Sequence, residues 1–258
     1  MRIILPDQRI KGNCIEMSKA STSQASTTQS QSKPKKEQSG LVKSYLILYN
    51  ALQVVGWSYM LYQLFAFYTI DKQEGRSLWD YLKLTVMIFQ NLAVLEIFHA
   101  ATGIVPSNVV ITTFQVFSRV MVVCGVVWAT PTGQVSPGLP LALLAWCITE
   151  IIRYGYYALS LVNAVPHLLV WFRYTTFIIL YPIGVTGELL CFYWAQSYVR
   201  ETKLWSTELP NSWNFTFSYF YFLWIVMLGY IPIFPHLYLH MFAQRKKILG
   251  GGSSKKTQ

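Results

Sequence analysis

Charged side chains are scarce in this sequence. Only 12% of its 258 residues are Asp, Glu, Lys or Arg, whereas 53% are hydrophobic. A soluble domain of ordinary composition has about twice this charged fraction. The composition therefore excludes the common soluble classes and predicts an all-α integral membrane protein with several spans.

Cysteine is also rare, and its spacing excludes two kinds of site. The residues Cys14, Cys124, Cys147 and Cys191 are scattered, and no pair has the C-x-x-C spacing. This pattern predicts neither a disulfide framework nor a metal site. The first 40 residues are too polar for a signal peptide, so the first span is expected to act as the insertion signal.

The net charge of +10 is concentrated in the two tails. Residues 1–43 contain eight Lys or Arg against three Asp or Glu, residues 244–258 contain five basic residues and no acid, and the segment between them is neutral. The positive-inside rule then places both termini in the cytosol and requires an even number of spans. A charge distributed in this way does not indicate a nucleic-acid partner.

Three regions follow from this pattern. Residues 1–43 include a Ser-, Thr-, Gln- and Lys-rich stretch with few apolar groups, which predicts a disordered cytosolic tail. Residues 44–243 form the predicted transmembrane domain. Residues 244–258 form a basic cytosolic tail, in which Lys255 and Lys256 match the dilysine signal for retrieval to the endoplasmic reticulum.

Six apolar runs of spanning length predict six transmembrane helices in one bundle. The runs are residues 45–68, 82–102, 109–129, 139–161, 168–195 and 214–242. Short polar or Pro- and Gly-containing segments separate them. An even number of spans agrees with the charge of the tails.

Ionisable residues inside these runs are expensive to insert and usually pair with one another or line a functional cavity. They are Glu96, His99, Arg119, Glu150, Arg153, Arg173 and Glu188. The simplest interpretation is a set of structural ion pairs, because three acids match three arginines. Glu150 and Arg153, three residues apart on one helix face, are the best candidates for such a pair.

The segment YPIGVTGE in the fifth run combines a carboxylate with helix-breaking residues. Tyr181 and Glu188 are seven residues apart, so two helical turns place them on nearly the same face. Between them, Pro182, Gly184 and Gly187 predict a kink or local unwinding that lines a cavity. Given cytosolic termini and a span of residues 168–195, Glu188 is expected in the lumenal half.

The chemistry of this pair suits proton transfer. Removal from water makes a carboxylate a better proton acceptor, and a tyrosine phenol stays protonated at neutral pH and can donate. Together they can remove a proton beside a carbonyl and protonate a departing group. Tyr181 by itself is weak evidence for catalysis, however, because the chain has 17 tyrosines.

Four stretches of the chain and its dilysine end carry a family resemblance. The stretches are YLILYNALQVVGW (45–57), LEIFHAATGIVPSNVVITTFQVFSR (95–119), WCITEIIRYGYYAL (146–159) and RYTTFIILYPIGVTGE (173–188). They resemble the very-long-chain (3R)-3-hydroxyacyl-CoA dehydratases, also called protein tyrosine phosphatase-like membrane proteins. The stretches occur in the order expected for this family and span all but the tails.

The resemblance implies dehydration of a (3R)-3-hydroxyacyl-CoA to a trans-2-enoyl-CoA, with no metal or organic cofactor. The family's catalytic tyrosine and glutamate fall on Tyr181 and Glu188. We expect Glu188 to remove the α-proton and Tyr181 to protonate or orient the departing hydroxyl, and the reverse assignment stays open. Glu150, Arg153 and Tyr154 are expected to form a supporting layer.

A phosphatase activity is excluded by the stretch HAATGIVPS. A cysteine phosphatase needs a thiolate after its histidine and an arginine that binds the phosphate. After His99, these two positions are Ala100 and Pro106. Without a nucleophile, no phosphocysteine can form.

The resemblance also implies partners and a location. These are the condensing enzyme and the two reductases of fatty acid elongation, in the endoplasmic reticulum membrane. Two other functions stay open on the residues alone: a catalytically inactive scaffold that binds other membrane proteins, and a transporter. The chain shows no internal repeat of the kind that transporters commonly have.

Overall fold

The computed structural model describes residues 40–71 and 75–250, and within these ranges the secondary structure is helical. The helices are α1 (Gly40–Ala66, continued by a π-helical turn at Phe67–Asp71), α2 (Leu78–Leu92), α3 (Leu95–Ala101), α4 (Val109–Val120, continued by a π-helical segment at Met121–Val127), α5 (Pro131–Gln134), α6 (Gly138–Leu161), α7 (His167–Arg173), α8 (Phe177–Thr202) and α9 (Tyr219–Leu249). Among the described residues, strand pairing is limited to one isolated bridge between Thr207 and Phe217. The predicted all-α class is confirmed.

Local sequence signals explain where several helices begin and end. The Ser77 side chain accepts a hydrogen bond from the backbone N–H of Asp80, and the Asn108 side chain accepts from Val110 and Ile111. These side chains satisfy backbone donors that have no partner inside α2 and α4. Gly103, with φ at 71°, follows the end of α3 in the left-handed conformation that glycine tolerates best.

Four helical segments are long and apolar enough to cross a membrane. They are Leu78–Ala101, Val109–Val127, Phe177–Thr202 and Tyr219–Leu249. The chain is therefore a multi-pass membrane protein. The predicted number of six spans and the cytosolic position of both termini stay predictions.

The other two predicted spans correspond to α1 and α6, which have 27 and 24 residues and so exceed the roughly 20 needed to span a bilayer. Both carry polar side chains on their buried faces, among them Gln53 on α1 and Glu150 on α6, each 0% exposed. Helix α6 packs against both α1 and α8. The interior position of these polar groups lowers the apolar character of α1 and α6 without exposing the groups to lipid.

The predicted tails lie mostly outside the described residues. Residues 1–39 of the tail predicted at 1–43, and residues 251–258 with the dilysine pattern, are not among them. Helix α1 already begins at Gly40, and α9 continues to Leu249, so the helices include both ends of the predicted domain.

The local unwinding expected in the YPIGVTGE segment is absent, because α8 is one continuous helix from Phe177 to Thr202. The expected kink stays a prediction. Pro182 has no N–H to donate to the carbonyl of Ile178, one turn earlier. The Tyr238 hydroxyl of α9 donates to that carbonyl at 2.9 Å. A side chain from another helix therefore replaces the missing hydrogen bond, and the helix passes through the proline.

The glycines of this segment allow close contact between α6 and α8. A β-carbon added at Gly187 would lie 2.5 Å from the backbone nitrogen of Ala142 and 2.7 Å from the carbonyl oxygen of Gly138. Small residues at membrane helix contacts let two backbones approach in this way. The contact places the α8 face that carries Glu188 directly against α6.

We expect Gly187→Ala to destabilise the protein, because the added methyl group meets backbone atoms that cannot move independently. Overpacking of this kind typically costs about 1–3 kcal/mol. Gly155→Ala is the matched control, since a β-carbon at Gly155 of α6 has nothing within 4 Å. Thermal unfolding in detergent should show a lower midpoint for Gly187→Ala only. Equal midpoints for the two variants would contradict close packing at Gly187.

Candidate active site

Glu188 is buried where α6, α8 and α9 meet, with 8% of its surface exposed. Its Oε1 accepts a hydrogen bond from the indole Nε1 of Trp146 on α6 at 2.8 Å. Its Oε2 accepts one from the hydroxyl of Tyr230 on α9 at 2.7 Å. Neighbouring helices on two sides therefore hold the carboxylate, one at each oxygen.

The helix boundaries shift the expected position of Glu188 along its span, while the orientation of that span stays a prediction. The run of residues 168–195 is interrupted, because α7 ends at Arg173, a turn follows, and α8 begins only at Phe177. The spanning helix is therefore shifted toward the C-terminus, to Thr202. Glu188 lies just on the N-terminal side of its middle, which is the cytosolic half for the predicted orientation.

Tyr181 lies on α8 about two turns before Glu188, and its ring packs against α9. It stacks on Phe234 with ring centroids 5.1 Å apart and on Tyr238 at 5.9 Å, with interplanar angles of 9° and 4°. Its hydroxyl is close enough to Glu188 for an electrostatic interaction. Within the described ranges, no residue forms a hydrogen bond with this hydroxyl.

The residues predicted as a supporting layer belong to a cluster of ion pairs beside Tyr181 and Glu188. Arg153 donates to Glu150 Oε2 at 2.7 Å through Nε, which confirms the predicted pairing. Arg153 also donates to both oxygens of Glu96, at 2.5 and 2.8 Å. Arg119 donates to Glu150 Oε1, and the Tyr154 hydroxyl donates to Glu96. The cluster thus connects α3, α4 and α6.

A glutamine and aromatic rings extend the cluster. Gln53 of α1 donates to the Tyr154 hydroxyl at 3.2 Å and to the carbonyl of Phe89 at 3.4 Å. The third arginine, Arg173, lies apart from the carboxylates, with its guanidinium carbon 4.3 Å from the ring centroid of Tyr156. A cation over an aromatic face gains about 0.5–2 kcal/mol, and the gain rises as the cation is removed from water.

The three acids inside the predicted apolar runs therefore differ in their partners. Glu96 and Glu150 accept hydrogen bonds from guanidinium groups, whereas neutral groups alone donate to Glu188 among the described residues. Arg119 is close enough to interact electrostatically with Glu188, and its guanidinium carbon lies 6.0 Å from the Trp146 ring centroid. Within the part of the chain that the structure describes, Glu188 therefore has no direct ion pair, and it keeps lone pairs free to accept a proton.

Sequence reasoning missed two residues that contact Glu188. Trp146 lies one turn before Glu150 on α6, so helical periodicity placed it on the same face as a known buried acid and could have identified it. Tyr230 is one of 17 tyrosines in the chain, and no local signal distinguished it. Across residues 40–71 and 75–250, no group of three or more His, Cys, Asp or Glu is arranged to hold a metal ion.

Comparison with known proteins shows similarity over most of the chain. A family model described as "protein tyrosine phosphatase-like protein, PTPLA" matches residues 90–251. Human very-long-chain (3R)-3-hydroxyacyl-CoA dehydratase 2 is 47% identical over 209 residues, which cover 81% of this chain and 82% of the relative.

Similar proteins occur in two other organisms. The Caenorhabditis elegans very-long-chain (3R)-3-hydroxyacyl-CoA dehydratase hpo-8 is 44% identical over 219 residues, covering 83% of this chain and 99% of the relative. The Arabidopsis thaliana very-long-chain (3R)-3-hydroxyacyl-CoA dehydratase PASTICCINO 2 is 34% identical over 206 residues, which cover 80% of this chain and 92% of the relative. No solved structure matches the chain.

Proposed function

The chain belongs to the protein tyrosine phosphatase-like family of very-long-chain (3R)-3-hydroxyacyl-CoA dehydratases, and we propose that Tyr181 and Glu188 carry out the dehydration. The substrate is a (3R)-3-hydroxyacyl-CoA, and the products are a trans-2-enoyl-CoA and water. The reaction is the dehydration step of very-long-chain fatty acid elongation.

The observation that carries this proposal is the environment of Glu188. Its carboxylate is buried, and two neutral groups donate to it without neutralising its charge. Tyr181, two turns earlier on the same helix, has a hydroxyl without a hydrogen-bond partner among the described residues. On a regular helix the two α-carbons are about 10.5 Å apart, which leaves room for the reacting carbons between the side chains.

The proton transfers follow from this arrangement. Glu188 takes the proton from C2 beside the thioester carbonyl, and the C2–H electrons form the C2–C3 double bond. The C3–O bond breaks, and the departing hydroxyl takes the Tyr181 proton and leaves as water. Transfer of the proton from Glu188 to the phenolate then restores both residues. The opposite assignment would require a Tyr181 phenolate as base beside a protonated Glu188. The ordinary order of acidity disfavours this state, because a carboxylic acid loses its proton far more readily than a phenol does.

The membrane setting suits a substrate with a long acyl chain. Each CH₂ group held between helices avoids about 0.8 kcal/mol of exposure to water. We place the CoA head at the cytosolic end, where Arg245, Lys246 and Lys247 lie near the C-terminus of α9 and attract phosphates. Because Glu188 lies on the N-terminal side of the middle of α8, the thioester reaches it from that end without crossing the whole bundle.

The location and partners extend the same proposal. The dilysine pattern at Lys255 and Lys256 supports residence in the endoplasmic reticulum membrane. The condensing enzyme must supply the 3-ketoacyl-CoA, one reductase converts it to the 3-hydroxyacyl-CoA substrate, and the second reductase consumes the enoyl product. These enzymes are the expected neighbours of the protein.

The test is turnover by the purified full-length protein in detergent. We expect long-chain (3R)-3-hydroxyacyl-CoA to be converted to the trans-2-enoyl-CoA, detected by liquid chromatography and mass spectrometry. Boiled protein is the control. If folded protein formed no product at any chain length, the result would instead favour a catalytically inactive scaffold in which Glu188 is a structural charge.

A further inference from the structure

Helix α9 places a row of aromatic side chains against both residues of the proposed pair. Tyr230, Phe234 and Tyr238 follow one another at intervals of four residues, so they lie on one face of the helix. Tyr230 contacts Glu188, and the other two rings stack on Tyr181. The rest of α9 is mostly exposed, since it buries far less of its apolar window than the other three spanning segments.

We propose that Tyr230 is a positioning residue for the dehydration, because its hydroxyl fixes Glu188 as the base. This inference rests on the proposed function. Tyr230 donates to Oε2 at 2.7 Å while Trp146 donates to Oε1 at 2.8 Å. With each oxygen held from a different helix, the carboxylate cannot turn about its last bond without losing both hydrogen bonds.

The hydroxyl of Tyr230 also favours the ionised form of Glu188. A carboxylate out of water needs donors to replace its hydration. A neutral donor does this without placing a positive charge on the oxygen that must accept the substrate proton, as a guanidinium would. An ionised carboxylate has acceptor sites at about four positions, so two hydrogen bonds leave it able to accept the C2 proton.

Tyr230 and Tyr181 therefore have different roles, although both are tyrosines near Glu188. The proton of Tyr230 is engaged with Glu188, whereas the Tyr181 hydroxyl has no partner among the described residues and can face the substrate. The Tyr230 ring is held separately by an edge contact with Phe192 of α8, at 6.1 Å between centroids. Removal of the hydroxyl alone should therefore leave the ring in place.

The experiment compares Tyr230→Phe with Tyr221→Phe in the full-length protein. Tyr221 lies on the same helix with 66% of its surface exposed, so its variant controls for the loss of a hydroxyl from α9. We expect Tyr230→Phe to lower kcat about 10- to 100-fold, the range expected when a hydrogen bond to a charged group is lost. KM should change less than about threefold, and Tyr221→Phe should match the parent.

The unfolding midpoint, measured beside kcat and KM, distinguishes positioning from a structural role. Loss of fold integrity would lower the amount of active protein and the unfolding midpoint, so both variants are also melted in detergent. Tyr230→Met, which lacks the hydroxyl in a different shape, serves as the second variant and should show the same loss of kcat. Parental kcat in both Tyr230 variants, or a loss that follows the unfolding midpoint, would overturn the proposal.

Glu188→Gln in the same assay separates this inference from the proposed function. If Glu188→Gln is inactive and Tyr230→Phe has parental kcat, the Tyr230 inference fails and the proposed catalytic pair stands. If Glu188→Gln keeps full turnover, the proposed pair itself fails.

Discussion

Glu188→Gln is expected to lower turnover by at least about 1,000-fold, near the upper part of the range for general acid–base catalysis. Glutamine has nearly the same shape, and its amide oxygen can still accept a hydrogen bond from Trp146 or Tyr230. It cannot take a proton from C2. Tyr181→Phe is expected to lower turnover about 100- to 10,000-fold, because phenylalanine keeps the stacking on α9 but has no proton to donate.

The measurement is kcat for the parent, the two variants and Glu201→Gln. Glu201 is an exposed glutamate near the end of the same helix, so its variant removes a carboxylate from α8 without touching the site. All four proteins should unfold at similar temperatures. If either Glu188→Gln or Tyr181→Phe retained more than about a third of parental turnover, where a loss of this size is expected, the proposed mechanism would be wrong.

Glu150→Gln is expected to destabilise the protein by about 3–5 kcal/mol, which is the range for removing one partner of a buried ion pair. Glu150 is completely buried and accepts from both Arg119 and Arg153. When Glu150 loses its charge, Glu96 still neutralises Arg153. Arg119, however, is left without a hydrogen-bonded acid among the described residues. The expected result is a large drop in the unfolding midpoint in detergent, with Glu201→Gln unchanged.

A compensating variant makes this test specific. The double variant Glu150→Gln, Arg119→Gln removes one acid and one base, so it leaves the pair of Glu96 and Arg153 intact. It should recover more than half of the stability that Glu150→Gln loses, because no uncompensated charge remains. If Glu150→Gln instead lowered turnover at unchanged stability, the cluster would act in catalysis and its interpretation as a structural support would be wrong.

Pairs of site residues on one helix could be predicted from the sequence, whereas pairs between different helices could not. Glu150 and Arg153 are three residues apart, and Tyr181 and Glu188 are seven apart. Both spacings place the two side chains on one face of a helix, so the sequence alone predicts it. The partners that come from other helices could not be assigned in this way. Glu96 and Arg119 were recognisable as buried charges, but their partners were not, because residues 57 and 31 positions away can meet only through packing of the bundle.

Hydropathy also could not resolve the start of α8. The apolar run continues through the turn at residues 174–176, since a turn made of Tyr and Thr interrupts the helix without adding charge. The same limit affects Pro182. The sequence shows that Pro182 has no N–H to donate. The hydroxyl that replaces this donor belongs to Tyr238, which lies 56 positions after Pro182 on another helix.

By itself, the sequence determined the membrane class, the resemblance to the dehydratases and the position of Tyr181 two turns before Glu188 on one helix, because composition, motif order and helical period are all local properties. Tertiary structure alone decided which groups hold each buried carboxylate. It placed guanidinium groups on Glu96 and Glu150 and two neutral donors on Glu188. The charge state that a buried acid can keep depends on these partners, and helix packing brings them together from distant parts of the chain.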